Sequence, residues 1–168
     1  MRKFLRNTLL NRVSYCSSDF SNDELIKDAV IIAPHPDDET LGCGGLILRK
    51  LSRGAKISVI YLTDGSSSHS GYSSRHTLTL IRKQEAINAC GILGIIKENI
   101  YFLDFPDGLL EKYKSEAREK LSVLLEKLNP PQIFIPSSRE FPPDHYISAG
   151  ITIEARTKAG LQTDVYEY

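Results

Sequence analysis

Ala29-Val30-Ile31-Ile32-Ala33-Pro34-His35-Pro36-Asp37-Asp38-Glu39-Thr40-Leu41-Gly42-Cys43-Gly44-Gly45-Leu46-Ile47-Leu48 changes character twice. Ala29 to Ala33 is a short apolar, β-branched run, the pattern of a strand buried on both faces. Pro34 and Pro36 stop it. Thr40 to Leu51 is rich in Leu, Ile and Gly and reads as a helix that ends near Gly54. A strand that passes through a polar turn into a helix is the opening unit of a parallel sheet.

The unit recurs downstream. Ile57 to Leu62 reads as a second strand, closed by Asp64-Gly65. Ser66 to Ser74 is almost wholly Ser, Gly, His and Tyr, the composition of a mobile surface loop, here expected to form a lid. Leu80 to Leu93 carries apolar residues at helical spacing, with Arg82, Lys83 and Glu85 on the other face. Ile100 to Leu103 is a third strand, ending in the turn Asp104-Phe105-Pro106-Asp107-Gly108. Leu109 to Leu128 is a long amphipathic helix, broken by Pro130-Pro131. Ile133 to Ile135 is a fourth strand, and a helix runs from Tyr146 towards Ala159. This order predicts an α/β, Rossmann-like layered fold with a mostly parallel sheet and helices on both faces. Such folds bind ligands beyond the carboxyl ends of the strands. His35–Glu39, Asp64–Ser74, Asp104–Gly108 and Ser137–His145 all fall there.

Composition sets the bounds. The chain of 168 residues fits one domain, assigned to residues 29–168. Residues 1–28 read as a basic amphipathic segment, with Leu5, Leu9, Leu10 and Val13 at helical spacing, followed by a polar linker over Cys16 to Asn22. The apolar stretch is too short and interrupted for a signal peptide. No apolar run reaches the roughly 20 residues of a membrane span. A formal net charge of zero argues against a nucleic-acid partner. Cys16, Cys43 and Cys90 are far apart and odd in number, which predicts no disulfide framework and a reducing, cytoplasmic setting. The sequence leaves the oligomeric state open.

The chemistry concentrates at His35 to Glu39. Three consecutive acidic residues repel one another unless a positive charge sits among them, and a divalent cation would supply it. His35 and Asp38 have the separation of a ligand pair from one loop, and zinc takes such nitrogen and oxygen donors. Asp37, between them, is then free to act as a general base on a water molecule acidified by the metal. The same acidic residues would also serve as helix N-caps and complement the helix dipole, so two readings stand on the residues alone. The prolines flanking His35 favour the ligand reading, because they pre-place the side chain. A third ligand is needed. His69 and His76 lie in or beside the Ser/Gly-rich loop, whereas His145 follows the fourth strand on the same sheet edge as His35. His145 is therefore the chosen ligand, although a polar residue at a helix start also explains it. Asp144 offers a carboxylate to orient an imidazole, or a helix cap. Gly42-Cys43-Gly44-Gly45 lacks the G-x-G-x-x-G spacing of a dinucleotide site and reads as close helix–strand packing.

Ile32 to Gly45 resembles the signature of the PIG-L/LmbE family of zinc N-deacetylases. Pro143-Asp144-His145 resembles that family's second motif, usually His-Pro-Asp-His. Leu62-Thr63-Asp64-Gly65 and Arg82-Lys83-Gln84-Glu85 sit where the family has similar segments, so the resemblance covers about Val30 to Tyr168. It implies a Zn²⁺ cofactor held by His35, Asp38 and His145, with Asp37 as general base. It further implies that Arg82 holds substrate and that Asp107 binds sugar hydroxyls. The implied reaction removes an acetyl group from an N-acetylglucosamine-type conjugate, whose other part is a glycan, lipid, inositol or glycopeptide.

Two departures qualify the resemblance. Pro142 stands where the family has a histidine that acts as general acid or stabilises the oxyanion, and proline does neither. Tyr146, Arg139, His69 and His76 are the residues able to substitute. The sequence also stops at Tyr168, where family members continue, and Asp164 to Tyr168 looks like the start of a further strand; the expectation is that a C-terminal part is missing. The alternative to an active deacetylase is a catalytically impaired metal- or glycan-binding protein on the same fold.

Overall fold

The computed structural model describes residues 19–67, 74–139 and 143–168. Residues 1–18, the bulk of the expected amphipathic segment including Cys16, lie outside the described residues, as do residues 68–73 of the Ser/Gly-rich loop and residues 140–142.

A short helix, α1 (Asn22–Leu25), precedes the sheet. Ser21 and Glu24 form a capping box at its start, each side chain serving the other's backbone N–H. Strand β1 (Ala29–Ala33) follows, then α2 (Asp38–Leu51), β2 (Ile57–Thr63), α3 (Arg75–Leu93), β3 (Ile100–Phe105), α4 (Lys114–Leu128), β4 (Gln132–Ile135), α5 (Pro143–Lys158) and β5 (Asp164–Glu167). The expected further strand at Asp164 is present and pairs with β4.

All pairings among the five strands are parallel, in the order β3-β2-β1-β4-β5. The chain builds outward from β1 to β3, then returns to the other side of β1 for β4. The order reverses between β1 and β4, and that is where such a sheet opens a crevice. Every residue of β1 and β2 is buried, which accounts for their continuous apolar runs. Alternate residues feed two cores. Ala29, Ile31 and Tyr61 pack with Cys43 and Ile47 of α2 and with Ala86 and Cys90 of α3. Val30, Ile32 and Ile133 pack on the other face with Leu121 and Leu125 of α4 and with Ile147 and Ile151 of α5.

Cys43 and Cys90 are buried free thiols, and burial pushes them up to about 12 and about 11 respectively, so both stay protonated. Gly42 serves packing, as expected for its motif: a Cβ there would lie 2.2 Å from the Tyr168 ring. Among the described residues, no helix is long and apolar enough to cross a membrane.

Candidate metal centre and active site

The strand ends are stitched together before any functional group is placed. Thr63, at the end of β2, donates its backbone N–H and its hydroxyl to the Pro34 carbonyl, at 2.9 and 2.8 Å. The Asp64 N–H donates to the Phe105 carbonyl at 2.9 Å. The Asp64 carboxylate then accepts from the Ser66 and Asp107 amides, at 3.0 and 3.1 Å. The segments after β1, β2 and β3 thus form one rigid edge.

On that edge, His35 follows β1 and Asp38 opens α2. The Asp38 carboxylate reaches both imidazoles. Its Oδ2 lies 3.4 Å from His35 Nδ1, and its Oδ1 lies 3.4 Å from His145 Nε2. Asp38 Oδ2 also accepts the His35 backbone N–H at 2.8 Å, which fixes the loop. His145 arrives from the first turn of α5, and the two rings are 5.3 Å apart. Donor atoms of His35, Asp38 and His145 all lie within 4.8 Å of one another. Two nitrogens and one carboxylate oxygen match the donor set of a catalytic zinc site, so the residues fit the metal that the resemblance implies.

The far side of His35 strengthens the fit. Its Nε2 lies 3.2 Å from Asp107 Oδ1 and 3.5 Å from Asp144 Oδ2. A carboxylate behind a ligand histidine sets the ring's tautomer and orientation. Asp144 is itself held by the Gly108 and Leu110 amides, at 2.8 and 3.3 Å. Burial disfavours a charge on His35, but the Asp107, Asp144 and Asp38 carboxylates outweigh it and carry its pKa up to about 11. The His35 contact and the Ser67 amide hold the Asp107 carboxyl below the usual range, against the opposing effect of burial.

Asp37 occupies the N-cap position of α2, yet its side chain makes no capping bond. Its Oδ2 instead accepts from Arg82 Nη2 at 2.9 Å. The same Arg82 nitrogen donates to the Pro36 carbonyl, and Nη1 reaches Glu85 at 3.2 Å. Arg82, from α3, is therefore bonded to the loop itself.

A pocket of about 330 Å³ joins His35, Asp37, Asp38, Arg82, Asp107 and His145, with Leu41 and Ser67 on its walls. These include every expected site residue except Asp144, which stands behind His35. A larger hollow of about 530 Å³ lies against Tyr166 and Tyr168 and is lined by none of the His35, Asp38 and His145 cluster. Of the expected lid, Ser67 is tied to Asp107 at 2.8 and 3.1 Å and Ser74 caps α3; residues 68–73 are outside the described residues. Pro142 and His69 are outside them too. His76 lies in the first turns of α3 and is not among the residues lining the pocket. From the sequence alone, Asp64 has no role beyond closing a strand, and Glu39 none beyond being the last of three consecutive acidic residues. An Asp-Gly pair after a strand is a usable sign for the first, since its side chain bonds the amide two residues on.

The PIG-L family, described as GlcNAc-PI de-N-acetylase, matches residues 30–156. The diacetylchitobiose deacetylase of Thermococcus kodakarensis is 34% identical over 159 residues, covering 92% of this chain and 58% of the relative. A probable N-acetyl-alpha-D-glucosaminyl L-malate deacetylase of Bacillus subtilis is 33% identical over 103 residues, covering 59% of this chain and 44% of the relative. The solved N,N'-diacetylchitobiose deacetylase of Pyrococcus horikoshii superposes with a TM-score of 0.72 at 32% identity, over 78% of this chain and 49% of that one. The chain spans about half the length of the curated relatives it matches. The family match runs from β1 into α5 and takes in both segments that supply the His/Asp cluster, and the chain belongs to the PIG-L family.

Proposed function

We propose that this chain carries a zinc-dependent N-deacetylase site that acts on an N-acetylglucosamine-type conjugate. The observation that carries the reading is the gathering of His35, Asp38 and His145 around one pocket, with the Asp37 carboxylate beside them. The relatives named above act, by their names, on diacetylchitobiose and on an N-acetylglucosaminyl malate. A small glycan, glycoside or lipid bearing N-acetylglucosamine is the corresponding substrate class here. Cys43 and Cys90, buried as free thiols, suit a reducing cytoplasmic setting.

His35, Asp38 and His145 would hold the zinc, and bound zinc would supply Lewis acidity to water and to the acetyl carbonyl. The chain's own part is proton transfer and positioning. Asp37 takes a proton from the attacking water as the new C–O bond forms. It returns that proton to the nitrogen as the C–N bond breaks, and acetate and the free amine leave. Asp107 and Asp144 keep His35 oriented. Arg82 keeps Asp37 in place. Arg82 and Asp107 also line the pocket, within reach of the sugar.

Pro142 favours a second reading, an impaired enzyme that keeps the metal and binds a glycan. One experiment separates them. Zinc-loaded protein is incubated with N,N'-diacetylchitobiose, and acetate, zinc content and glycan binding are measured together. Acetate release at an ordinary rate, on the order of 10 per second, supports the deacetylase. Bound zinc and glycan without acetate supports the second reading. Absence of zinc and acetate removes both.

A further inference from the structure

Asp37 has φ 151° and ψ −23°, a backbone conformation that L side chains rarely adopt. Strain of this kind persists only where surrounding contacts over-determine it. Arg82 supplies one such contact, through the Asp37 carboxylate and the Pro36 carbonyl. The other comes from Glu39, whose Oε2 accepts the Asp37 backbone N–H at 3.2 Å.

Glu39 is fully buried and does not line the pocket shared by His35, Asp38 and His145. A carboxylate in that position is costly unless its oxygens are bonded. They are: Oε2 takes the Asp37 amide and Oε1 the Thr40 hydroxyl, and the hydroxyl of Tyr61, fully buried in β2 and 3.4 Å from Cys90 Sγ, faces the same carboxylate. Tyr61 of the interior strand β2 thus stands behind the carboxylate that holds the Asp37 amide.

We propose that Glu39 is a positioning residue, whose buried carboxylate holds the Asp37 amide and with it the strained backbone that presents the Asp37 carboxylate to the pocket. The proposal rests on the reading of Asp37 as the proton-transfer group. A helix-dipole role for an acidic residue in the first turn of α2 is the simpler alternative. That role predicts lost stability with no link to Asp37.

The test uses the zinc-loaded full chain with Glu39→Ala, Glu39→Gln, Asp37→Ala and the double variant Glu39→Ala/Asp37→Ala. Glu39→Ala should lower kcat roughly 10–100-fold, the usual effect of a small misplacement, with KM and zinc content unchanged. Glu39→Gln keeps an oxygen for the Asp37 amide and should recover most of the loss. In the Asp37→Ala background, Glu39→Ala should change kcat by less than about two-fold, because coupled residues lose their effect once the partner is gone. An equal loss with and without Asp37, or no rescue by Gln, overturns the proposal. If Glu39→Ala does not fold, Tyr61→Phe takes its place; it should give a smaller loss that again requires Asp37, and a loss independent of Asp37 overturns the idea. Amide hydrogen exchange at Asp37 gives a readout free of turnover. It should speed up in Glu39→Ala or Tyr61→Phe, and an unchanged rate sinks the proposal. A parent that releases no acetate defeats the deacetylase reading, while the exchange measurement still decides the link between Glu39 and Asp37.

Discussion

The Nε2 atom of His35 lies 3.2 Å from Oδ1 of Asp107, while Nδ1 of the same ring faces Asp38 at 3.4 Å. The ring is thus spanned by carboxylates from two separate segments, the start of α2 and the turn after β3. The resemblance gives Asp107 to the sugar, but in the structure its carboxylate is shared between His35 and the Ser67 amide. Asp107→Ala should therefore lower zinc affinity roughly 10–100-fold, the usual cost of losing an outer partner, and Asp107→Asn should cost less. A zinc titration against a competing chelator measures this. Unchanged affinity with a raised KM would return Asp107 to the sugar alone.

At the proposed site zinc and a proton would compete for His35. In the metal-free chain, burial opposes the charge but Asp107, Asp144 and Asp38 raise the pKa to about 11 from an ordinary 6.5. A raised histidine pKa stabilises the fold fully below pH 6.5, and that contribution is lost as pH rises through 11. Metal-free protein should accordingly lose stability across that window in denaturant titrations. Because zinc needs a deprotonated donor nitrogen, loading at about pH 8 should release about one proton. Calorimetry in buffers of different ionisation heat reads the number directly. Asp38→Ala and His145→Ala should each lose most of the bound zinc under mild chelation, and retention by both would refute the ligand set.

The alternation of strand and helix was legible because β1, β2 and β4 are short apolar runs bounded by Pro, Gly or Asp. β1 runs over Ala29–Ala33, as its pattern predicts. The start of α3 at Arg75 was not legible, since its first turn is polar and the apolar period begins at Leu78; its sign is Ser74, which accepts the Thr77 N–H at 3.1 Å. The S-x-x-E box of α1 was likewise readable in principle within a stretch whose polarity suggests a linker. His35, Asp38 and His145 stand out by type and place. The burial of Glu39 and Lys50 does not, because it depends on partners such as Gln132, 82 residues away from Lys50.

Lys50 gives a stability prediction separate from the chemistry. It is fully buried near the end of α2. Its ammonium donates to the Glu24 and Lys27 carbonyls, each at 2.8 Å, and to the Gln132 side chain. Those partners lie in α1, in the turn before β1 and at the start of β4, away from the His/Asp cluster. Lys50→Ala strands three acceptors and opens a cavity, and should cost about 3–5 kcal/mol in a denaturant titration. Zinc affinity of the folded fraction should be unchanged. A cost below about 1 kcal/mol would show that water replaces the ammonium at little penalty.

Arg82 and Asp37 allow the proposed proton-transfer step to be tested apart from substrate binding. Asp37→Ala should keep zinc and lose roughly two to four powers of ten in kcat, the range expected for a general base. Arg82 bonds the Asp37 carboxylate at 2.9 Å, and the same nitrogen holds the Pro36 carbonyl, so one guanidinium nitrogen fixes the Asp37 side chain and the peptide that precedes it. Its side chain is only 13% exposed, which leaves little of the guanidinium free for a ligand. Arg82→Ala should therefore act mainly on kcat, lowering it roughly 10–100-fold through misplacement of Asp37. Arg82→Lys keeps the charge but not the planar fork, and should recover only part of the loss. In the Asp37→Ala background the Arg82 effect on kcat should largely vanish, as it does for residues that act through one another. A substrate-gripping arginine predicts the reverse pattern: KM rises, kcat holds, and the effect survives without Asp37. Steady-state kinetics on the four proteins of that cycle, with zinc content checked in each, decides between the two.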